Sequence, residues 1–245
     1  MGEKIAAIIL AGGKGRRMQA GSVNKVTLLL ADKPIILRNV HLLGKTGFSP
    51  IIIVVGHAKE SVITVLKDTS VVFAEQKEQL GTADAARAGL AKLSLSTNVL
   101  VVNGDDWAHY TSDLLKQLVK KHITQNASVT FLTTVLADAT GLGRIVRDKN
   151  GNVTAIVEEK DAREDQKNIK EINVGCYIFR VDFLKEYLPE ITRNETTKEY
   201  YLVDLIKIAA MHKEKIQTVL VDKLNWQGVN TKEELEKAEQ LLSRI

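Results

Sequence analysis

The segment Gly12-Gly13-Lys14-Gly15-Arg16-Arg17 sets three glycines and three cations directly behind an apolar run. Backbone N–H groups converging in such a turn, joined by the forked contacts of arginine, can hold a triphosphate, because glycine lets the main chain approach phosphate oxygens closely. Taken by itself the segment fits a flexible basic surface turn equally well. It lacks the third glycine of a dinucleotide fingerprint, where Met18 stands, and the spacing and Lys-Ser/Thr pair of a P-loop. Asp105 follows a second apolar run after one glycine, where a carboxylate is held rigidly at a sheet edge and could share a magnesium ion with phosphate oxygens. Alone it reads as a turn-forming aspartate. Lys25, ahead of the run 26–30, could offset charge developing on a transferring phosphate, although a lone lysine is more often solvated surface. The pair Glu158-Glu159 ends another strand-like run, so one carboxylate should face the sheet and the other solvent.

Other chemistries find less support. His57, His109 and His122 show no ligand spacing, which argues against zinc, and no Ser-His-Asp arrangement stands out. Trp107 and Trp226 read as packing residues. The single cysteine, Cys176, lies in the apolar run 174–179 and reads as a buried thiol; one cysteine forms no internal disulfide, in keeping with a reducing, cytoplasmic location. Lys and Arg total 34 against 30 acidic residues, and the net charge of +4 is spread along the chain. That balance suits anionic small molecules and gives no nucleic-acid-binding surface. The apolar run 5–11 is too short to span a membrane, and Gly-Gly-Lys-Gly-Arg-Arg after it is no signal-peptide cleavage site.

These residues need a frame to position them. With 44% hydrophobic residues the 245-residue chain can build a core. Strands are expected at 4–10, 51–55, 71–74, 98–102 and 128–136, alternating with helices at 34–43, 59–66, 83–93 and 113–124; Thr82 and Ser112 are the expected caps of the last two. Continuous Val/Ile/Leu strands alternating with helices indicate a mostly parallel sheet covered on both faces, with ligands bound where strands end near a switch point. The segments 12–18 and 103–106 both follow strands, which joins them into one candidate site. The second half reads as an antiparallel elaboration: a hairpin of 143–148 and 153–159 around Asn150-Gly151, a strand at 174–179, helices at 181–188 and 200–212, and a strand at 216–221. A charged terminal helix, 232–245, follows Thr231 as its cap, and no linker or repeat interrupts the chain.

Taken in order, Leu10-Ala11-Gly12-Gly13-Lys14-Gly15, Gln76 with Glu78-Gln79-Leu80-Gly81-Thr82-Ala83, Asn103-Gly104-Asp105, and Gly141-Leu142-Gly143-Arg144-Ile145 carry a family pattern. It continues through Ile156 to Ala162, Glu171-Ile172-Asn173, Glu199-Tyr200-Tyr201-Leu202 and Gly228-Val229-Asn230. Over nearly its whole length the chain resembles the uridyltransferase domain of the bacterial bifunctional N-acetylglucosamine-1-phosphate uridyltransferase/glucosamine-1-phosphate acetyltransferase family. The resemblance implies a Rossmann-like nucleotide-diphospho-sugar transferase fold and transfer of a uridylyl group from UTP to N-acetylglucosamine 1-phosphate. It implies that Gln76, Gly81 and Thr82 read the base, with Leu10, Ala11, Gly12, Gly13, Lys14 and Gly15 along the nucleotide. Arg17 and Lys25 match phosphate-binding positions, and Asp105 and Asn230 match magnesium ligands. Gly104, Gly141, Glu158 and Asn173 match the sugar side.

The chain departs from that pattern at Arg16, where Thr or Ser is usual, at Asn24, where Pro precedes the lysine, and across Asn103–Trp107. The implied organisation is a nucleotidyltransferase domain over 1–230 and a terminal helix over 231–245, with no hexapeptide-repeat β-helix and no acetyltransferase activity. Two other readings remain: a related transferase using another sugar 1-phosphate or nucleotide, and a non-catalytic sugar-nucleotide-binding protein. A substrate panel separates the first and a metal-dependent turnover test the second. The oligomeric state is open.

Overall fold

A computed structural model of the chain describes residues 5–15, 23–94, 96–108, 110–221, 226–228, 234, 236 and 238–240, with backbone alone for 106–108 and 226–228. The first half runs β1 (Ala6–Ala11), β2 (Leu29–Leu30), β3 (Lys33–Pro34), α1 (Ile35–Thr46), β4 (Ile51–Val55), α2 (Lys59–Leu66), β5 (Val72–Glu75), α3 (Thr82–Leu90), β6 (Asn98–Asn103), β7 (Asp106–Ala108) and α4 (Ser112–Thr124). The second continues β8 (Val129–Val135), β9 (Arg144–Arg147), β10 (Val153–Val157), α5 (Glu164–Lys167), β11 (Glu171–Arg180), α6 (Val181–Tyr187), α7 (Asp204–Met211), β12 (Ile216–Leu220) and β13 (Trp226–Gly228).

Strands β5, β4, β1 and β6 lie side by side and parallel. Every residue of β1 and β4 is buried, so their unbroken apolar sequences are those of strands covered on both faces. Alternation then divides the side chains between two cores. Ala6, Ile8, Leu10, Ile52, Val54, Val99 and Val101 pack on one face with α3, α6 and α7, whereas Ala7, Ile9, Ile51, Ile53, Leu100 and Val102 pack on the other with α1, α2 and α4. The connection from β1 leads through α1 to β4 on one side, and the chain returns after β5 to place β6 on β1's other side. That reversal makes the ends of β1 and β6 the switch point.

The antiparallel elaboration is built on β11. Its second half pairs with β6 from Cys176↔Val102 to Arg180↔Asn98, whereas Ile172 pairs with Arg144 of β9. β8 lies along its other edge with β12 beyond. The register against β8 shifts between Asn173 and Tyr177, around Gly175 at φ 80. Glycine takes this left-handed conformation without Cβ strain, and the resulting bulge bends β11 as it changes partner. The hairpin of β9 and β10 turns at Asp148–Asn152, where the Asp148 carboxylate accepts from the N–H groups of Asn150 and Asn152 at 2.8 and 2.9 Å.

Two expected caps differ. Gly81 is the N-cap of α3, and Thr82 uses its hydroxyl instead to accept from the N–H of Leu202 at 2.9 Å. Thr111 caps α4 through the N–H of Leu114, and Ser112 becomes the first helical residue. The strand expected over 174–179 extends to the ten residues of β11, and the helix expected over 200–212 begins only at Asp204. Of the expected terminal helix, 234, 236 and 238–240 are helical; its remainder and Thr231 lie outside the described residues. Cys176 is fully buried in β11 as expected. No helix of the described residues is long and apolar enough to cross a membrane.

Candidate active site

A cleft of about 540 Å³ opens over the carboxyl ends of β1 and β6 and extends to the bend of β11. Its walls hold Leu10 to Gly15, Lys25, Gln76, Gly81, Thr82, Asp105, Gly141, Glu158 and Asn173, so residues more than 160 positions apart in sequence share one space. Gly104 lies behind this wall: it is buried, its N–H donates to the Leu10 carbonyl at 2.9 Å, and an added Cβ would sit 2.9 Å from that oxygen. Its smallness fastens β6 to β1 and so fixes Asp105. Arg17 and Asn230 lie outside the described residues, as do Arg16 and His109 and the side chains of Trp107 and Trp226.

The Lys25 ammonium donates to the Asp105 carboxylate across 80 residues of sequence, with both side chains largely shielded at 14% and 18% exposure. What sets Lys25 there is Asn24, which is 1% exposed. Its amide donates to the carbonyls of Ala11 at 2.8 Å and His57 at 2.9 Å, while its Oδ1 accepts from Val26 N–H and starts the short 3-10 turn Lys25–Thr27. The end of β1, the loop after β4 and the turn that carries Lys25 are thus tied to one side chain.

On the opposite flank, Gly81 adopts φ 112, and its missing Cβ leaves room for Tyr200, whose carbonyl would lie 2.4 Å away. Tyr200 N–H donates to the Leu80 carbonyl at 2.7 Å and its carbonyl accepts from Ala83 N–H at 3.0 Å, so segments 80–83 and 199–202 brace each other. Gln76 is 5% exposed, and its amide nitrogen donates to the carbonyl of Gly81 at 3.0 Å and to Asp84 at 2.8 Å.

The third wall comes from the second half. β10 ends at Val157, and the acidic pair divides its work. Glu158 faces the cleft, where burial pushes its carboxyl above the usual range despite nearby Lys160. Glu159 is held low by hydrogen bonds from the Arg144 guanidinium, at 2.5 Å, and from Gly141 N–H, at 3.1 Å. Arg144 is 2% exposed and also donates to the Leu142 carbonyl, so the buried cation fastens the loop 141–143. Asn173 donates its N–H to Gly143 at 2.9 Å; its side chain accepts from Gly175 N–H and donates to the Tyr177 hydroxyl.

Asn24, Gln79, Lys160, Glu199 and Tyr201 also line the cleft and were not among the residues expected there. Lys160 donates to the Tyr201 hydroxyl. Both stand inside segments that carry the family pattern, 156–162 and 199–202, which was the available signal. Among the described residues no group of three His, Cys, Asp or Glu could hold a metal ion. Asp105 offers one carboxylate, the kind of ligand a hard divalent cation takes when its other ligands are waters and phosphate oxygens.

The mixed α/β sheet thus carries a charged, glycine-walled cleft at its switch point, the place where open sheets of this kind bind their ligands. The chain belongs to the nucleotidyl transferase family, whose model matches residues 6–244. It is similar to the bifunctional protein GlmU of Caldanaerobacter subterraneus subsp. tengcongensis, with 40% identity over 242 residues that make up 99% of this chain and 52% of that protein. The chain spans about half the length of the curated relatives it matches first. Among solved structures it is similar to a UDP-glucose pyrophosphorylase complexed with UDP-glucose, at TM-score 0.81 and 19% identity, covering 98% of this chain and 99% of that one. HddC from Yersinia pseudotuberculosis gives TM-score 0.74 at 19% identity, covering 97% and 99%. At these identities the fold is what is shared.

Proposed function

We propose that this chain joins N-acetylglucosamine 1-phosphate to UTP with magnesium, forming UDP-N-acetylglucosamine and pyrophosphate. The observation that carries the reading is the single cleft in which glycine backbone and Lys25 from the first half face Glu158 and Asn173 from the second. Such a cleft suits two phosphorylated substrates laid end to end. The GlmU relatives, 40% identical over 99% of this chain, support the choice of sugar and nucleotide.

In this reading the base lies against Gln76, Gly81 and Thr82, and the triphosphate along Leu10–Gly15 toward Lys25 and Arg17. The sugar meets Gly141, Glu158 and Asn173, with hydroxyls donating to the Glu158 carboxylate and Gly104 supporting Asp105 from behind. An oxygen of the sugar phosphate attacks the α-phosphorus in line. The new P–O bond forms as the bond to the bridging oxygen breaks, and pyrophosphate leaves with that electron pair. No enzyme nucleophile is required, so the protein contributes positioning and charge stabilisation. Asp105 and Asn230 would hold magnesium, which when bound offsets phosphate charge. The pairing Gly228↔Asp106 supports that set, since it brings the chain two residues ahead of Asn230 beside the neighbour of Asp105. Residues 1–230 form the catalytic unit, and the lone cysteine suits the cytoplasm.

The test is pyrophosphate release from a panel of nucleoside triphosphates and sugar 1-phosphates, with the wild type and Asp105→Ala. Release centred on the proposed pair, abolished by EDTA and nearly lost in the variant, is the expected result. Normal magnesium-dependent turnover by Asp105→Ala would overturn the site assignment.

A further inference from the structure

We infer that Asp84 is a positioning residue that locks the Gln76 carboxamide with Oε1 turned to the cleft, so that the pocket selects bases presenting an imide N–H beside a carbonyl. This deepens the proposed reaction and rests on its assignment of the base subsite.

The two ends of a carboxamide differ only in whether they donate or accept, so its neighbours decide which end faces a ligand. Gln76 Nε2 donates to two acceptors, the Gly81 carbonyl at 3.0 Å and Asp84 Oδ2 at 2.8 Å. Turning the amide over would set Oε1 against both oxygens. The backbone cannot relieve this, because Gln76 N–H is itself bonded to the Val55 carbonyl at 2.8 Å and its carbonyl accepts from Gln79. The other Asp84 oxygen faces Arg87 at 3.9 Å, which leaves Oδ2 to the amide. With the nitrogen end committed, Oε1 points to Gly12, where an added Cβ would lie 2.7 Å from it. Both Gln76 and Gly12 line the cleft.

The nitrogen end of the amide is thus bound at the start of α3, where the first N–H groups of a helix have no partner within it, and its other end presents a fixed acceptor on the Gly12 side of that turn. Acceptor and donors side by side match an imide, whose N–H donates to Oε1 while its carbonyl accepts from the backbone at Gly81 or Thr82. Cytosine presents a bare ring nitrogen in the imide position, which Oε1 repels. Without Asp84 the lock keeps one of its two acceptors, and the turned-over amide that suits cytosine becomes accessible.

The experiment measures kcat/KM for UTP and for CTP, each with N-acetylglucosamine 1-phosphate and magnesium, in the wild type, Asp84→Ala and Asp84→Asn. Alanine is the best helix former, and circular dichroism checks that the variants are folded. The expected result is a UTP:CTP ratio that falls about tenfold in Asp84→Ala, the size of one lost hydrogen bond to a charged group, and returns to within about threefold of wild type in Asp84→Asn, whose Oδ1 still accepts. An unchanged ratio in Asp84→Ala, including an equal fall with both nucleotides, overturns the inference while leaving the proposed reaction standing. A wild type that does not prefer UTP to CTP overturns both together.

Discussion

Asn24 joins the end of β1, the loop after β4 and the turn that carries Lys25, and its replacement separates that role from simple packing. Asn24→Ala removes two bonds donated to the Ala11 and His57 carbonyls and one accepted from Val26 N–H, all made by a side chain that is 1% exposed. At about 1 kcal/mol net for each bond, and more where a buried partner is left unsatisfied, the cost is about 2–4 kcal/mol. Asn24→Asp keeps the shape and the acceptor but turns two donors into oxygens that face two carbonyls, so it should destabilise more than alanine. Burial and those carbonyls would raise the introduced carboxyl above its unfolded value of about 3.9. A carboxyl raised in the folded state is penalised while ionised, so the deficit of Asn24→Asp against wild type should shrink as pH falls from 7.5 toward 4.5. The deficit of Asn24→Ala should not. Urea midpoints at several pH values provide the measurement, taken as differences from wild type so that other titrating groups cancel. In turnover, both variants should lose kcat through displacement of Lys25. Equal stability of Asn24→Asp and wild type at pH 7.5, or a smaller deficit for aspartate than for alanine, would show that the two donated bonds do not hold this corner together.

His122 is buried between Thr130 and Asn98, with both ring nitrogens bonded at 2.9 Å, and burial with the charge of Arg180 lowers its pKa to about 4. Its contribution is complete above the unfolded value near 6.5 and is lost as pH falls toward 4, an effect of about 2–3 kcal/mol that urea unfolding should find and that His122→Gln should flatten. Glu158 has the opposite sign: its raised carboxyl is disfavoured when ionised, so Glu158→Gln should raise the melting temperature at pH 7.5 while raising KM for the sugar phosphate about tenfold. Glu159→Gln removes the charge opposite buried Arg144 and loosens Gly141, so KM for the sugar phosphate should rise with little change in KM for UTP. Equal changes in both KM values would instead mean a general loss of the fold.

The parallel half was legible because its strands are buried on both faces and therefore unbrokenly apolar: Ile51–Val55 and Lys59–Leu66 appear with the boundaries expected of them. The two loops at the switch point were legible for the same reason, since strand ends announce them. β11 was only partly visible, because Glu171, Asn173 and Gly175 interrupt its apolar pattern where it bulges into the cleft. β2, β3, β7 and β13 have two or three residues each, too few to show a period. Thr82 and Ser112 have the chemistry of caps, yet tertiary partners and a better-placed Thr111 decided otherwise. Asn24 shows in the sequence only as a departure before Lys25, and Asp84 not at all: their meaning lies in partners such as the His57 carbonyl and the Gln76 amide, which only folding brings near.

Uridylyl transfer to the sugar phosphate can be followed by phosphorus NMR in one reaction. With protein, magnesium, UTP and N-acetylglucosamine 1-phosphate, the UTP and sugar-phosphate resonances should decline together. The paired diphosphate signals of UDP-N-acetylglucosamine and one pyrophosphate should rise in equal amounts, and EDTA should stop the conversion. UTP consumed while the sugar phosphate persists, or no change with folded protein, would contradict that transfer.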